Sequence, residues 1–229
     1  MKYLSVDTAT RIESVALCED QQVVVEHSIL RKSGHGAGIL DDVEDLLSQA
    51  GWCLEDIDAY VCGLGPGSFT GLRIGLATLK GLAMALDKPL LGARTTHLLR
   101  AAMPEAKTIA VIDARRGQIY AEGEGLREPV CCDPDVLWQH VTPTEGLVLI
   151  GDGAVQYREV LLEGTTGVVI PEEATIHQPR AALLPGLVST ENAAALAVVE
   201  PVYVRKSDAE INYPDGFPDA ASRPPKKGS

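Results

Sequence analysis

The chain has 229 residues, 45% of them hydrophobic but only 4% aromatic, enough for one large core or two modest ones built from Val, Leu, Ile and Ala. Its formal net charge of -12 opposes unaided binding to nucleic acid, whose phosphates must be met by clustered Lys and Arg. Five cysteines without C-x-x-C spacing, no basic apolar leader and no uninterrupted apolar run long enough for a bilayer predict a soluble cytoplasmic protein with reduced thiols.

KYLSVDTAT, ESVALCED and VVVEHSIL read as three successive strands of an antiparallel meander. A glycine-rich GHGAG precedes a helix in which Ile39, Leu40, Val43, Leu46, Leu47 and Ala50 repeat at helical spacing and Gly51 supplies the stop. DIDAYVCGLG then reads as a strand running into a Gly-Pro-Gly turn, and Ser68 or Thr70 can cap the next helix. The exposed amides of such a turn can cradle a phosphate, but no Lys-Ser or Lys-Thr pair follows the glycines, the GxGxxG spacing fails, and Ser68 is not placed as in a nucleophile elbow.

That second helix has two faces. Leu72, Leu76, Leu79, Ala83 and Leu86 form an apolar stripe, and Gly71, Gly75, Thr78 and Ala85 a small-residue one at about 100° per residue. The small stripe admits either a tight internal contact or a partner's helix. KPLLGARTTHLLRAAM carries a short strand into another helix, completing a βββαβα unit.

A second unit begins near Glu105. TIAVIDARRGQIYAEGEG reads as two strands around a turn at residues 115–117, followed by an irregular stretch. LVLIGDGA is a buried strand entering a glycine turn, and VQYREVLLEG and QPRAALLPGLVST read as helices, the latter interrupted by Pro185. PVYVRKSDAE reads as a strand leading into a loop, and residues 214–229, with almost no apolar material, as a disordered tail.

Three turns line up: Asp7 to Thr10, Asp113 to Gly117, and Gly151 to Ala154. Their order resembles the phosphate, phosphate and adenosine segments of the actin, sugar kinase and heat-shock ATPase (ASKHA) superfamily. That resemblance implies an α/β, two-lobed fold with a mixed sheet and helices in each lobe, and nucleotide-contact candidates at Asp7, Thr8, Asp113, Gly117, Gly151 and Gly153. Ala9 stands where an active kinase of that superfamily has glycine.

VDTAT with SVAL, GLGPGSFTGLRIG, IDARRGQIYA, GDGA and the late PVYVRKSDAE together bear a closer resemblance, to the TsaB (YeaZ) family of tRNA threonylcarbamoyladenosine biosynthesis. It runs through nearly the whole chain. The family resemblance implies a non-catalytic partner for the TsaD catalytic subunit, working with the TsaE ATPase, and reaching tRNA only through the complex. ATP and a metal would be used by the complex, the metal in the TsaD-like partner, with no cofactor required by this subunit. The TsaD-like paralogue has a His-x-x-x-His metal motif where this chain reads Arg94-Thr95-Thr96-His97-Leu98-Leu99, and one imidazole does not hold a metal without further ligands. His27, His140 and His177 make no metal-spaced set.

The expected division is a lobe at 1–105 with partner-binding helices, a lobe at 106–213, and the tail. The interface is expected at Ile39, Val43, Leu46, Gly71, Gly75, Thr78 and Ala85. No catalytic set is assigned. Arg205 and Glu210 fit a salt-linked loop between lobes, homodimerisation is left open, and the competing reading is a nucleotide-binding phosphotransferase or ATPase acting alone. A metal-dependent glycoprotease is disfavoured by the missing histidine pair.

Overall fold

The computed structural model describes residues 1–31, 38–190 and 198–205. Most of GHGAG, Glu210 and the 214–229 tail fall outside these residues. The first sheet contains β1 (Lys2–Asp7), β2 (Ile12–Glu19), β3 (Gln22–Leu30), β4 (Ala59–Gly63) and β5 (Leu90–Ala93) in the order β3-β2-β1-β4-β5. The meander is antiparallel, whereas β4 joins β1, and β5 joins β4, in parallel. Both faces of this sheet are covered, which is why β1, β2 and β4 read as near-continuous apolar runs.

On one face lie α1 (Ile39–Ala50) and α2 (Phe69–Leu86). Val43, Leu46 and Leu47 of α1 pack with Leu76, Leu79 and Ala83 of α2 on Leu4, Val6, Val15, Leu17, Tyr60 and Cys62. Asp41 and Asp42 complement the α1 dipole in its first turn. Gly51, with φ +65°, ends the helix in the left-handed conformation that glycine adopts without steric cost. Ser68 caps α2, its Oγ accepting the Gly71 N–H at 3.2 Å. Though α2 is long and apolar enough to qualify as a membrane span by length and composition, its leucine stripe is committed to this core.

On the opposite face, Ala181, Ala182 and Leu184 pack on Ala16, Cys18, Ala59 and Val61. Their segment, Ala181–Leu187, is a run of 3-10 turns around Pro185 where an ordinary helix is predicted. Proline removes an amide donor and clashes with the preceding turn, and 3-10 geometry accommodates the break.

A second sheet is formed by β6 (Thr108–Arg115), β7 (Gln118–Gly123), β8 (Val130–Cys132) and β9 (Val148–Ile150), ordered β8-β7-β6-β9. Here too the first three strands are antiparallel and the fourth joins the first in parallel. Its helices are short: α4 (Leu137–His140), α5 (Asp152–Gln156) and α6 (Arg158–Leu162). The last two divide at Tyr157 what the sequence predicts as one helix. Residues 201–205 do not form the predicted strand; Val202 donates one backbone hydrogen bond to the Leu64 carbonyl at 2.7 Å and joins no ladder.

Between the sheets sits α3 (Thr95–Arg100). Leu98 packs into the first sheet's core and its neighbour Leu99 into the second's. Burying each such side chain stabilises by about 2 kcal/mol, so this short helix is a wedge shared by both lobes.

Several residues expected at a partner interface are internal. Ile39, Val43 and Leu46 are core residues of the first lobe. Gly71 and Gly75 are buried, and a Cβ at Gly75 would collide with the Thr8 hydroxyl, so on these two turns the small stripe serves an internal contact. Thr8 reaches only the start of α2, leaving Thr78 half-buried and Ala85 exposed.

Candidate functional site

Asp7 ends β1 beside the first lobe's glycine turn. Its carboxylate is fully buried, accepting the Ala9 N–H at 3.0 Å and the Thr95 hydroxyl at 2.6 Å. Thr95 is the hub: its Oγ1 also accepts the Gly65 N–H at 3.1 Å, and its own N–H donates to the Gly65 carbonyl at 2.7 Å. Thr8, likewise buried, donates its hydroxyl to the Gly71 carbonyl at 2.8 Å. Gly63 and Gly67 lack side chains where a Cβ would collide with the Asp7 carboxylate and the Ala9 carbonyl. Ser68 N–H also donates to that carbonyl at 2.7 Å.

The first turn is thus tied to α2 and α3. Neither Asp7 nor Thr8 opens onto a space where a nucleotide could sit, which corrects their expected placement as nucleotide contacts.

Asp113 lies near the end of β6, two residues before Arg115, where the pairing with β7 is irregular. It lines a cleft between the lobes, with Thr10, Arg115, Arg116, Asp152, Tyr203 and Arg205. The front of this cleft measures about 390 Å³ and a rear chamber about 460 Å³; both are bounded by Thr10, Asp113 and Asp152. Asp113 Oδ1 accepts the Arg115 N–H at 3.0 Å and the Tyr157 hydroxyl at 3.3 Å, and its own N–H donates to Asp152 Oδ1 at 3.1 Å. Burial pushes the Asp152 carboxyl up, backbone N–H donors from Asp113 and Gly153 oppose that, and the Asp113 charge adds to the rise.

Arg115, Arg116 and Gly117 all have positive φ, at +64°, +55° and +79°. Two consecutive non-glycine residues there carry real backbone strain. Gly117 is at the open tip, with nothing within 4 Å of where a Cβ would stand. Gly151 and Gly153 press against the backbone of β6 instead, where a Cβ would meet Val111 or Ile112. Of the six nucleotide-contact candidates, only Asp113 lines the cleft.

Two clusters carry no local signature in the sequence. His177 is buried; its Nδ1 accepts the Gly151 N–H at 3.1 Å and its Nε2 faces the Pro171 carbonyl at 2.9 Å, which defines a neutral ring protonated at Nε2. Glu122 on β7 receives Arg94 and the Thr96 hydroxyl in short contacts and His97 Nε2 at 3.3 Å. Its burial is the largest influence and pushes its carboxyl up, yet His97, Thr96 and Arg94 together hold it down at about 2. His97 therefore serves a carboxylate that links α3 to the second sheet. Among the described residues no group of three His, Cys, Asp or Glu is arranged to hold a metal.

Two lobes that repeat one strand order flank a cleft near the ends of their first strands, an α/β fold with a mixed sheet and helices in each lobe. A family model for TsaD, tRNA N6-adenosine threonylcarbamoyltransferase, matches residues 30–130. The chain is 30% identical over 231 residues to the tRNA threonylcarbamoyladenosine biosynthesis protein TsaB of Escherichia coli, covering 93% of this chain and 99% of that one. It is 28% identical to TsaB of Bacillus subtilis, covering 93% and 98%. The solved structure of YeaZ from Pseudomonas aeruginosa superposes with a TM-score of 0.71 at 27% identity, covering 88% of this chain and 99% of that one. The chain belongs to the TsaB (YeaZ) family.

Proposed function

We propose that the protein is a non-catalytic subunit of the machinery that forms threonylcarbamoyladenosine on tRNA, supporting a TsaD-like catalytic subunit together with a TsaE-like ATPase. The observation that carries this reading beyond family membership is the first turn. Asp7 and Thr8 spend their polar atoms on Thr95, Ala9 and Gly71, so neither side chain of the first turn is turned to the cleft to meet a phosphate. The subunit needs no cofactor of its own; ATP and a metal are handled by its partners, tRNA is met through the complex, and the setting is the cytoplasm.

The partner surface proposed is the outer side of α2 and the adjoining start of α1. Ala77, Gly81 and Ala85 are exposed, Met84 is 71% exposed and Leu40 is 56% exposed. Ile39, Leu40, Ile74, Ala77 and Thr78 line a groove of about 490 Å³ between the helices. Nothing lies within 4 Å of where a Cβ on Gly81 would stand, so another helix backbone could approach closely there. Of the interface residues expected from sequence, Thr78 and Ala85 keep this role, and Ile39, though a core residue, forms part of the groove floor.

The deciding experiment reconstitutes modified tRNA from purified TsaD-like and TsaE-like proteins with and without this chain. Modification is expected only with it, and Met84→Glu should impair it by weakening association. Full modification in its absence, or ATP turnover by the isolated chain at about 1 per second or faster, would refute the proposal.

A further inference from the structure

The two most distinctive motifs of the chain, GPGSFTGLRIG and PVYVR, meet in space. Tyr203 stacks on Phe69 with ring centroids 4.9 Å apart, and the Arg73 guanidinium lies 3.9 Å from the Phe69 centroid. Arg73 Nε donates to the Tyr203 hydroxyl at 3.1 Å. One residue earlier, Val202 donates to the Leu64 carbonyl at the end of β4. Both anchors belong to the first lobe.

The next two residues belong to the second. Val204 packs against the cluster of Leu99, Ala110, Ile112, Ala114 and Tyr120, and Arg205 Nη1 donates to the Gln118 side-chain oxygen at 3.0 Å. Residues 202–205 therefore cross the front of the cleft, whose walls include all four of them.

We infer that this segment is a clasp that pins the two lobes together and governs access to the cleft front. Two other links between the lobes are enclosed: α3, held by Leu98 and Leu99, and the return of Ala181, Ala182 and Leu184 to the first sheet. Tyr203, by contrast, is 45% exposed. Local opening follows the least buried set of contacts, so the clasp lifts while the wedge stays in place. A lifted clasp uncovers the side of β6 and β7 on which Val204 rests and opens the front of the cleft, whose wall includes Arg115 and Arg116.

A native thiol reports the motion. Cys131 Sγ approaches the same Gln118 oxygen, at 3.9 Å, that Arg205 occupies from the other side, and the cysteine is only partly buried. In a Cys53→Ser background the exposed thiol is gone, and Cys18, Cys62 and Cys132 are buried. Maleimide labelling of Cys131 in the full chain, read by peptide mass spectrometry, then follows clasp opening.

Tyr203→Ala is expected to speed labelling about tenfold or more, with the urea unfolding midpoint little changed. Arg205→Ala should also speed it. Burial pushes the Cys131 thiol up and the Arg205 charge opposes that, so losing the charge alone would slow the reaction. Tyr203→Phe, which keeps the ring and loses only the hydrogen bond from Arg73, should give a smaller increase in the same direction and guards against misfolding of the alanine variant. Rates within about twofold of the parent in all three variants, or an increase that rises with urea in step with global unfolding, would overturn the inference.

Discussion

The aspartates near the ends of the first strands of the two lobes occupy similar places in a repeated strand order, yet their surroundings differ. Asp7 is sealed, with both oxygens engaged and Gly63 pressed against it. Asp113 faces a cleft, beside a strained Arg-Arg-Gly turn and a second carboxylate. Their cladding differs in parallel: α1 and α2 have 12 and 18 residues, whereas α5 and α6 behind the second sheet have five each. One lobe has turned its aspartate into internal structure, and the other has kept its aspartate in the wall of the cleft the two lobes share. A repeated strand order can thus hold two aspartates at similar places with opposite surroundings.

The harshest test of this contrast adds a methyl group beside each aspartate loop. Gly63→Ala drives a Cβ into the Asp7 carboxylate and should cost about 3 kcal/mol or more. Gly117→Ala, at an open turn with φ +79°, should cost only about 1 kcal/mol through backbone strain. Urea unfolding of both variants checks this; equal losses would break the comparison. Gly75→Leu belongs with the first class and should unfold the lobe, because Thr8 already fills that space.

Removing charge without changing shape is a gentler probe. Asp7→Asn is expected to destabilise by about 2 kcal/mol, since the new amide group cannot accept both hydrogen bonds. Asp113→Asn should stay within about 1 kcal/mol, because its partners lie at the cleft edge. Thermal unfolding of the pair gives the difference directly.

The link between lobes has its own signature in acid. Glu122 falls from an ordinary value of 4.5 to about 2 in the folded state. Its stabilisation is therefore complete above about pH 4.5 and lost progressively as pH falls towards 2, about 3 kcal/mol as an upper bound that solvent screening lowers. A pH series of urea midpoints should show that slope in the parent, and Glu122→Gln should flatten it while lowering stability at neutral pH. An unaltered slope would show that Arg94, Thr96 and His97 contribute nothing through this carboxylate.

The smallest effect is expected on the outer face of α2. Gly81→Ala meets no neighbour and should raise stability by about 0.5–1 kcal/mol through helix propensity. Calorimetry of the isolated subunit would register it as a slightly higher Tm. No gain would mean that this helix turn is constrained by something other than its own backbone.

The strand meander, α1, the Ser68 cap and the start of the second unit are legible because they rest on local periodicity and short-range capping. The small stripe of α2 reads as one surface, but Thr8 covers only its beginning, and no helical period reveals how far a loop from elsewhere reaches. Thr95, Glu122 and His177 give no local signal for a related reason: their partners, Asp7, Arg94 and Gly151, lie far away in sequence. The segment at 201–205 has the alternation of a strand, but its donors are spent on Leu64 and on side-chain contacts across the cleft.

The return of Ala181, Ala182 and Leu184 to the first sheet has a bearing on how the molecule is made. A chain emerging from the ribosome completes β1 to β5 and both long helices with the far face of that sheet still bare. Synthesis proceeds at about 5–20 residues per second, so Ala16, Cys18, Ala59 and Val61 wait several seconds for their cover while the whole second sheet is produced. During that interval the nascent first lobe exposes apolar sheet surface of the kind that favours aggregation. Translation must pass residue 184 before the first sheet is covered on both faces, whereas the main core of the second is complete by Ile170.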